Sequence, residues 1–375
     1  MRLPVALLAA ALSCAAPAAA QAPAADTARP FDAPDEPVAR PPVVPFGDLR
    51  LRGDFVTGLP AGREDLERGR ATLRAGLRWS PVGVLDVEAS FRASIATDHN
   101  ADERRNFDNE TPDAFELDRA GVRWTPRAHW TLAAGALVLP LRLTGLVWDE
   151  DLRPVGVTMA GRLPVEALDA LRVSAGVLAA DRFPGDDGRL AAGQLAWLIR
   201  DGAPVAGEAA AAVLAFDGLE RDPEEQLQRQ NSVVTIPGEG PRLAETFTLL
   251  DLQLAARAPL AGRPTTLRLD YVVNLEASTP QDAARLRAAW GEARGLGALE
   301  LGYAYQRIER DAVPGSFNSD DWWFHSATRG NSVWVALGLA EDAFLRVSGF
   351  DERRDDLEDH TRRLLIELVA RRDAD

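Results

Sequence analysis

The chain reads as an all-β protein, a transmembrane antiparallel β-barrel of about 16 strands with short periplasmic turns and long outer loops. Three observations predict it. After Phe46, stretches of about ten residues alternate apolar side chains with charged or small ones. The connections between those stretches take turns between tight and long. An export signal precedes them. The alternation is clearest from Arg68 to Trp79. Odd positions carry Gly69, Ala71, Leu73, Ala75, Leu77 and Trp79, and even positions carry Arg68, Arg70, Thr72, Arg74, Gly76 and Arg78. Successive strand side chains point to opposite faces, so one face is greasy and the other cationic. A sandwich strand and a barrel strand share this pattern, and context must separate them.

The N-terminus supplies part of that context. Residues 1–20 read as a signal peptide: Met1-Arg2, an apolar run from Leu3 to Leu12, and Ala18-Ala19-Ala20 before the cut. A competing reading takes Leu12-Ser13-Cys14-Ala15 as a lipoprotein site on Cys14, but Ala11 sits where a large aliphatic residue is usual. Cleavage after Ala20 removes the only cysteine and leaves no disulfide framework. No other run reaches the about 18 apolar residues of a spanning helix. Residues 21–45 are rich in Pro and Ala, lack alternation and read as an extended periplasmic leader. Residues 46–375 are left for the barrel, long for one sandwich and natural for one large barrel.

The strands should start near Phe46, Arg68, Gly83, Ala114, His129, Arg153, Asp169, Asp187, Pro204, Glu245, Arg263, Ala283, Gly297, Asn331, Asp342 and Thr361, each bounded by Gly, Pro, Asn or Asp. Tight connections include Ser80–Gly83, Thr125–Ala128, Pro259–Pro264 and Ala340–Asp342. Long acidic ones include Thr97–Asp113, Pro140–Arg153, Asp217–Ala244, Arg310–Gly330 and Asp351–His360. A soluble sandwich has no reason to alternate the two classes, whereas an outer-membrane barrel does. Trp79, Trp124, Trp130, Trp197 and Trp290 all fall close to tight turns, where an aromatic belt meets lipid headgroups.

Composition excludes some partners. The formal charge is −15, so nucleic acid is not expected to bind. The mean hydropathy of −0.16 is too low for a helical membrane protein and compatible with a barrel, half of whose strand residues face water. All 42 residues counted as Lys or Arg are arginine. Coding bias is the ordinary explanation.

The chain also resembles the porins of proteobacterial outer membranes over most residues after Leu49. The likeness is carried by Arg50-x-Arg52, by Arg68-Gly-Arg-x-x-Leu-Arg-x-Gly-Leu77 and by Val147-Trp-Asp-Glu-Asp-Leu-Arg-Pro-Val-Gly156. Further on come Gly302-Tyr-Ala-Tyr-Gln-Arg-Ile-Glu-Arg-Asp-Ala-Val-Pro-Gly-Ser-Phe-Asn-Ser-Asp320 and an arginine-bearing closing strand. The resemblance implies an outer-membrane channel for small hydrophilic solutes or ions, in contact with lipid and lipopolysaccharide, with a homotrimer among its assemblies. The chain departs from that pattern at its end, Leu364-Leu-Ile-Glu-Leu-Val-Ala-Arg-Arg-Asp-Ala-Asp375, where the usual terminal aromatic is missing.

Placing the apolar set outward fixes the inward set. Arg50, Arg52, Arg68, Arg70, Arg74, Arg78 and Arg92 should line the pore. After a phase change near Asp118, read as a bulge, Arg119 and Arg123 should join them. Two readings stand side by side: a cationic ladder that draws anions, or arginines that pair with Asp86, Glu88 and loop carboxylates and keep the lumen wet. The wall at Thr131, Ala133, Gly135 and Leu137 is small and uncharged, as is the stretch 207–215. The loop that follows Leu137 has an apolar stem, 143–148, and an acidic tip. It should fold inward on the small wall as a constriction loop, placing Trp148, Asp149, Glu150 and Asp151 against the arginines. The acidic stretches 98–113 and 351–360 either hold divalent ions between lipopolysaccharide phosphates or are ordinary solvated loops. Catalysis is not expected: His99, His129, His325 and His360 form no metal spacing and no nucleophile motif, and nothing calls for a cofactor.

Overall fold

Each strand of the ring bonds to the one before it and the one after it, and the last returns to the first. The computed structural model describes residues 43–97, 114–165, 168–179, 188–199, 204–219, 230–238, 240–278 and 281–372. The expected signal peptide, most of the expected leader and the acidic stretch 98–113, with its His99, lie outside the described residues. The strands are β1 (Val43–Thr57), β2 (Leu66–Val82), β3 (Leu85–Ala96), β4 (Phe115–Arg127), β5 (Trp130–Ala136), β6 (Val155–Val165), β7 (Leu168–Ala179), β8 (Arg189–Ile199) and β9 (Ala206–Asp217). A small hairpin follows, β10 (Val233–Ile236) with β11 (Gly240–Leu243). The ring then resumes with β12 (Thr248–Leu260), β13 (Arg263–Asn274), β14 (Gln281–Gly291), β15 (Leu299–Ile308), β16 (Thr328–Ala340), β17 (Ala343–Arg354) and β18 (Thr361–Arg372). Without the hairpin, which the sequence pattern had folded into one long loop, sixteen antiparallel strands make a closed barrel.

Closure is a physical necessity for this sequence. An open sheet in hydrocarbon would leave a row of unanswered N–H and C=O groups. Here β1 pairs with β18 from Gly47–Arg372 to Thr57–Arg362, so no edge remains. The strand starts agree with the predicted ones to within three residues. The largest offsets include β1, which begins at Val43 and takes three residues from the leader. The side-chain phase also agrees. Leu73, Leu77, Phe91, Leu267, Leu269, Leu301, Leu364 and Ile366 are all exposed on the outer face. The bulge falls at Asp118: Ser90 pairs with Arg119 while Phe91 pairs with Leu117, leaving Asp118 extra. Asp118 and Arg119 therefore both point inward, which two successive residues of a regular strand cannot do.

Tryptophan sorts by location. Trp79, Trp124, Trp130, Trp197 and Trp290 lie on the outer face close to the short-turn end. Trp148, Trp322, Trp323 and Trp334 are buried inside. The interior is filled mainly toward the long-loop end. Leu139, Leu141, Leu146, Val147, Trp148 and Leu152 pack on Leu178, Leu190, Ala192, Ala212 and Leu214 of β7, β8 and β9.

Candidate functional site: the arginine wall and the inward loop

The arginines of β1 to β4 share one inner wall because alternation puts every second residue there. In register, Arg52 faces Arg70 and Arg74 faces Arg92. Like charges set directly opposite repel, so the wall needs carboxylates within contact range. They come from four sources. The wall supplies its own: Arg68 reaches Asp54 at 2.7 Å, Arg78 reaches Glu88 at 2.9 Å, Arg123 reaches the same Glu88 at 3.2 Å and Arg92 pairs with Glu116. The closing strand supplies Glu367, 3.0 Å from Arg52. The connection after β15 supplies Asp321, 3.1 Å from Arg52, and the inward loop after β5 supplies more.

That loop leaves β5 and crosses the lumen. Its stem is fastened to the small wall: Ser174 Oγ donates to the Pro140 carbonyl at 2.8 Å, and Gln194 both donates to and accepts from the Arg142 backbone at 2.7 Å. Gln253 Nε2 donates to the same Arg142 carbonyl at 2.7 Å, and the Arg142 guanidinium pairs with Glu208. The tip then meets the arginines. Glu150 lies 2.7 Å from Arg50, and Asp151 lies 2.7 Å from Arg74 and 3.4 Å from Arg50. Asp149 turns away from the wall, accepting the Asp151 N–H at 2.7 Å, and Trp148 is buried with its ring stacked 5.6 Å from Phe317. Burial pushes the Asp151 carboxyl up, but Arg74, then Arg50 and Arg153, outweigh it and hold it well below the usual carboxylate range.

The wall is thus a set of contacts between opposite charges, and most of its arginines are nearly excluded from solvent. The exceptions are Arg119 and Arg123 on β4, with side chains 21% and 24% exposed. Arg119 shares Asp118 with Arg74 and Arg153, at 3.5, 3.5 and 3.8 Å, and also lies over the Phe46 ring. Arg70 is buried on the inner face of β2 between β1 and β3. Asp118 and Glu88 thus each serve more than one arginine, and Asp86 stands opposite Arg123 in register.

Two parts of the interior escape the sequence reading. The far wall carries its own polar set: Arg285 donates to Gln306 at 2.6 Å, and Trp334 donates to Glu300 at 2.7 Å. Arg363 on β18 holds Asp54 at 2.8 Å. The same alternation on those strands was the available signal. The connection 309–327, expected as an outer loop, is buried over most of its length inside the barrel mouth. Its apolar content, Val313, Phe317 and Trp322 to Phe324, was the signal there. Of the remaining histidines, His325 Nδ1 lies 2.7 Å from Asn318 Oδ1 and His360 Nδ1 lies 3.0 Å from Asp351 Oδ2.

No family model matches this chain. No curated protein matches it either. Solved structures do match its fold. It is similar to OprB of Pseudomonas putida at high pH, with a TM-score of 0.57 and 9% identity, covering 88% of this chain and 94% of that one. It is similar to an anion-selective porin from Comamonas acidovorans, with a TM-score of 0.53 and 11% identity, covering 88% and 99%. A loop L8 deletion mutant of OmpT, an outer membrane protein of Vibrio cholerae, gives a TM-score of 0.52 at 13% identity, covering 88% and 99%. At such identities the likeness is one of fold. The protein has the closed sixteen-stranded β-barrel of the outer-membrane porins.

Proposed function

We propose that the protein is an outer-membrane porin, a passive diffusion channel for small hydrophilic solutes or ions. The observation that carries this reading is the pairing of an apolar outer face with a charged inner face, crossed by a loop whose acidic tip touches the arginine wall. Such an inner face has no use in a barrel that only packs against lipid. Arg50, Arg52, Arg68, Arg70, Arg74, Arg78, Arg92, Arg119 and Arg123 line the lumen in this reading, and Trp148 with Asp149, Glu150 and Asp151 narrows it. The short turns face the periplasm and the long loops face out, against lipopolysaccharide. Each chain closes its own barrel, so a homotrimer would hold three separate channels. No cofactor or metal enters the reading, and no chemistry is assigned.

Selectivity follows from where charge is left over. Arginines paired with carboxylates at contact distance contribute little net field, whereas Arg119 and Arg123 are the most exposed of the wall's arginines and share their acids with other cations. They should favour anions. The test is the reversal potential across a planar bilayer in a salt gradient. Arg119→Gln with Arg123→Gln should move it toward cations. Neutralising Asp149, Glu150 and Asp151 together should move it toward anions. Both shifts should shrink in high salt, as the Debye length falls to about 3 Å at 1 M. Unchanged reversal potentials in both variants would sink the placement of selectivity. A second reading, a structural or adhesive barrel closed to solutes, is favoured by the depth at which the loop stem is buried. Absence of any conductance in the parent would favour it.

A further inference from the structure

A loop that ends in solvent has no use for two tryptophans and a phenylalanine in a row. The connection between β15 and β16 carries them, and its contacts run around much of the barrel mouth. Phe317 stacks on Trp148 at 5.6 Å and meets the tilted ring of Phe216 of β9 at 5.1 Å. Trp322 sits edge-on to Phe350 of β17 at 5.3 Å. Trp323 and Phe324 close on Val56, Leu59 and Leu66, where β1 gives way to β2.

Polar groups of the wall fasten the same segment. The Glu352 carboxylate, fully buried on the inner face of β17, accepts the N–H groups of Trp323 at 2.9 Å and Phe324 at 3.1 Å. Arg363 donates to the carbonyls of Asp320 at 2.8 Å and Asp321 at 2.7 Å. Asn231 donates to the Arg310 and Val313 carbonyls and accepts the Gly315 N–H at 2.8 Å. The segment is also stitched to the first inward loop. The Asp149 N–H donates to the Phe317 carbonyl at 2.6 Å, and the Ser319 N–H donates to the Gly145 carbonyl at 2.9 Å. The Asp320 N–H donates to Asp149 Oδ2 at 3.3 Å.

We propose that residues 309–327 are a second pore-narrowing segment, joined to residues 141–153 as one fixed internal diaphragm, and that Glu352 positions it. Moving the segment out would break its bonds to Glu352, Arg363 and Asn231 and expose Trp322, Trp323 and Phe324 to water, so it stays in place rather than flapping. The size limit for solutes is then set by both segments. The proposal deepens the channel reading above and rests on it.

Ile308 pairs directly with Thr328, so a short Gly-Ser turn can replace residues 312–325 without stretching the barrel. Single-channel conductance in planar bilayers should rise about twofold or more in that variant, because a wider aqueous path carries more ions. Swelling of proteoliposomes should admit larger polyethylene glycols. Glu352→Leu should move conductance toward the deletion value and Glu352→Gln, which keeps an acceptor oxygen, should restore it. A deletion variant that folds as a heat-modifiable barrel yet conducts like the parent overturns the proposal, whether both conduct or neither does. A closed parent with a conducting deletion variant supports the diaphragm and removes the open-channel reading.

A full-length pair covers the case of a deletion that does not fold. A Cβ built at Gly145 lies 2.8 Å from Ser319 Cβ, so the two backbones need only ease apart by about 1 Å to reach the about 3.8 Å of a disulfide. Gly145→Cys with Ser319→Cys should oxidise in the inserted barrel and leave conductance as it is in the reduced form. A pair that does not oxidise, or a conductance that falls on oxidation, would mean the two segments part in the working channel.

Discussion

Asp151 concentrates the electrostatics of the lumen in one side chain. It is buried and faces Arg74, Arg50 and Arg153, and its carboxyl is held well below the ordinary aspartate value of about 3.9. The sign of the linkage follows from that direction. A group more acidic in the folded state stabilises it fully above the unfolded value and loses that contribution as pH falls through the folded one. The loop should therefore stay docked in mild acid and release only well below pH 4. An acid titration of conductance checks this, and Asp151→Asn should abolish the transition. In urea unfolding, Asp151→Ala should cost about 2–3 kcal/mol, less than the about 3–5 kcal/mol of a broken buried pair, because Arg50 keeps Glu150 and Arg74 keeps Asp48 and Asp118. Gly302 makes a steric counterpart. A Cβ there would lie 1.9 Å from two atoms of the Trp334 ring, whose Nε1 donates to Glu300. Gly302→Ala must displace that ring and should destabilise by about 1–3 kcal/mol, read in the same assay.

At the scale of the element, depth in the membrane decides what an outward residue is worth. Leu73 lies near the middle of β2, whereas Leu301 pairs with Trp290 in the aromatic belt. Leu73→Arg should then cost about 2–4 kcal/mol and Leu301→Arg about 0–1 kcal/mol in lipid-vesicle unfolding. Equal costs would contradict the depth order. The strands were legible because period-two alternation is local and each is bounded by turn residues. Even the bulge at Asp118 could be read, since it breaks the phase in the residues themselves. The connection 309–327 was harder. Its length and acidity matched the outer loops, and only Phe317 and Trp322 to Phe324 pointed inward. Glu88 and the acidic loop tip could be named as partners of the arginines, but which arginine meets which acid could not. Whether Arg74 meets Asp151 or Asp48 depends on how far a loop some 75 residues away reaches across the lumen, a long-range fact that no spacing encodes.

For the molecule as a whole, closure dominates behaviour. With every strand bonded on both sides, unfolding must break two ladders at once, and no edge is available to start. The folded protein should run as a compact band in SDS until it is heated, fractionate with the outer membrane and give a β-rich circular dichroism spectrum. A single mobility before and after heating would count against a barrel that holds together in detergent. The fold class could be read from the sequence because it needs the whole chain to agree: alternation throughout, connections that take turns, and five tryptophans near one rim. The filling of the lumen could not, because it brings the two inward segments against side chains from β7 to β14 that lie far from them along the chain.

The seam between β1 and β18 is where the chain's two ends meet, and it is keyed. On its lumen side Arg52 stands opposite Glu367, and Arg363 reaches diagonally to Asp54. Sliding β18 by two residues would keep every side chain on its proper face, and the lipid side, with Leu51, Phe55, Leu364 and Ile366, would barely notice. The lumen side would notice. One direction sets Asp54 against Glu367 and leaves Arg52 opposite Val369, whereas the other leaves Arg52 opposite Leu365 but sets Arg50 against Glu367 and Asp54 against Arg363. The last zipping event of the barrel is therefore guarded by charge from within against a slip in one direction, while the greasy exterior stays indifferent to the count.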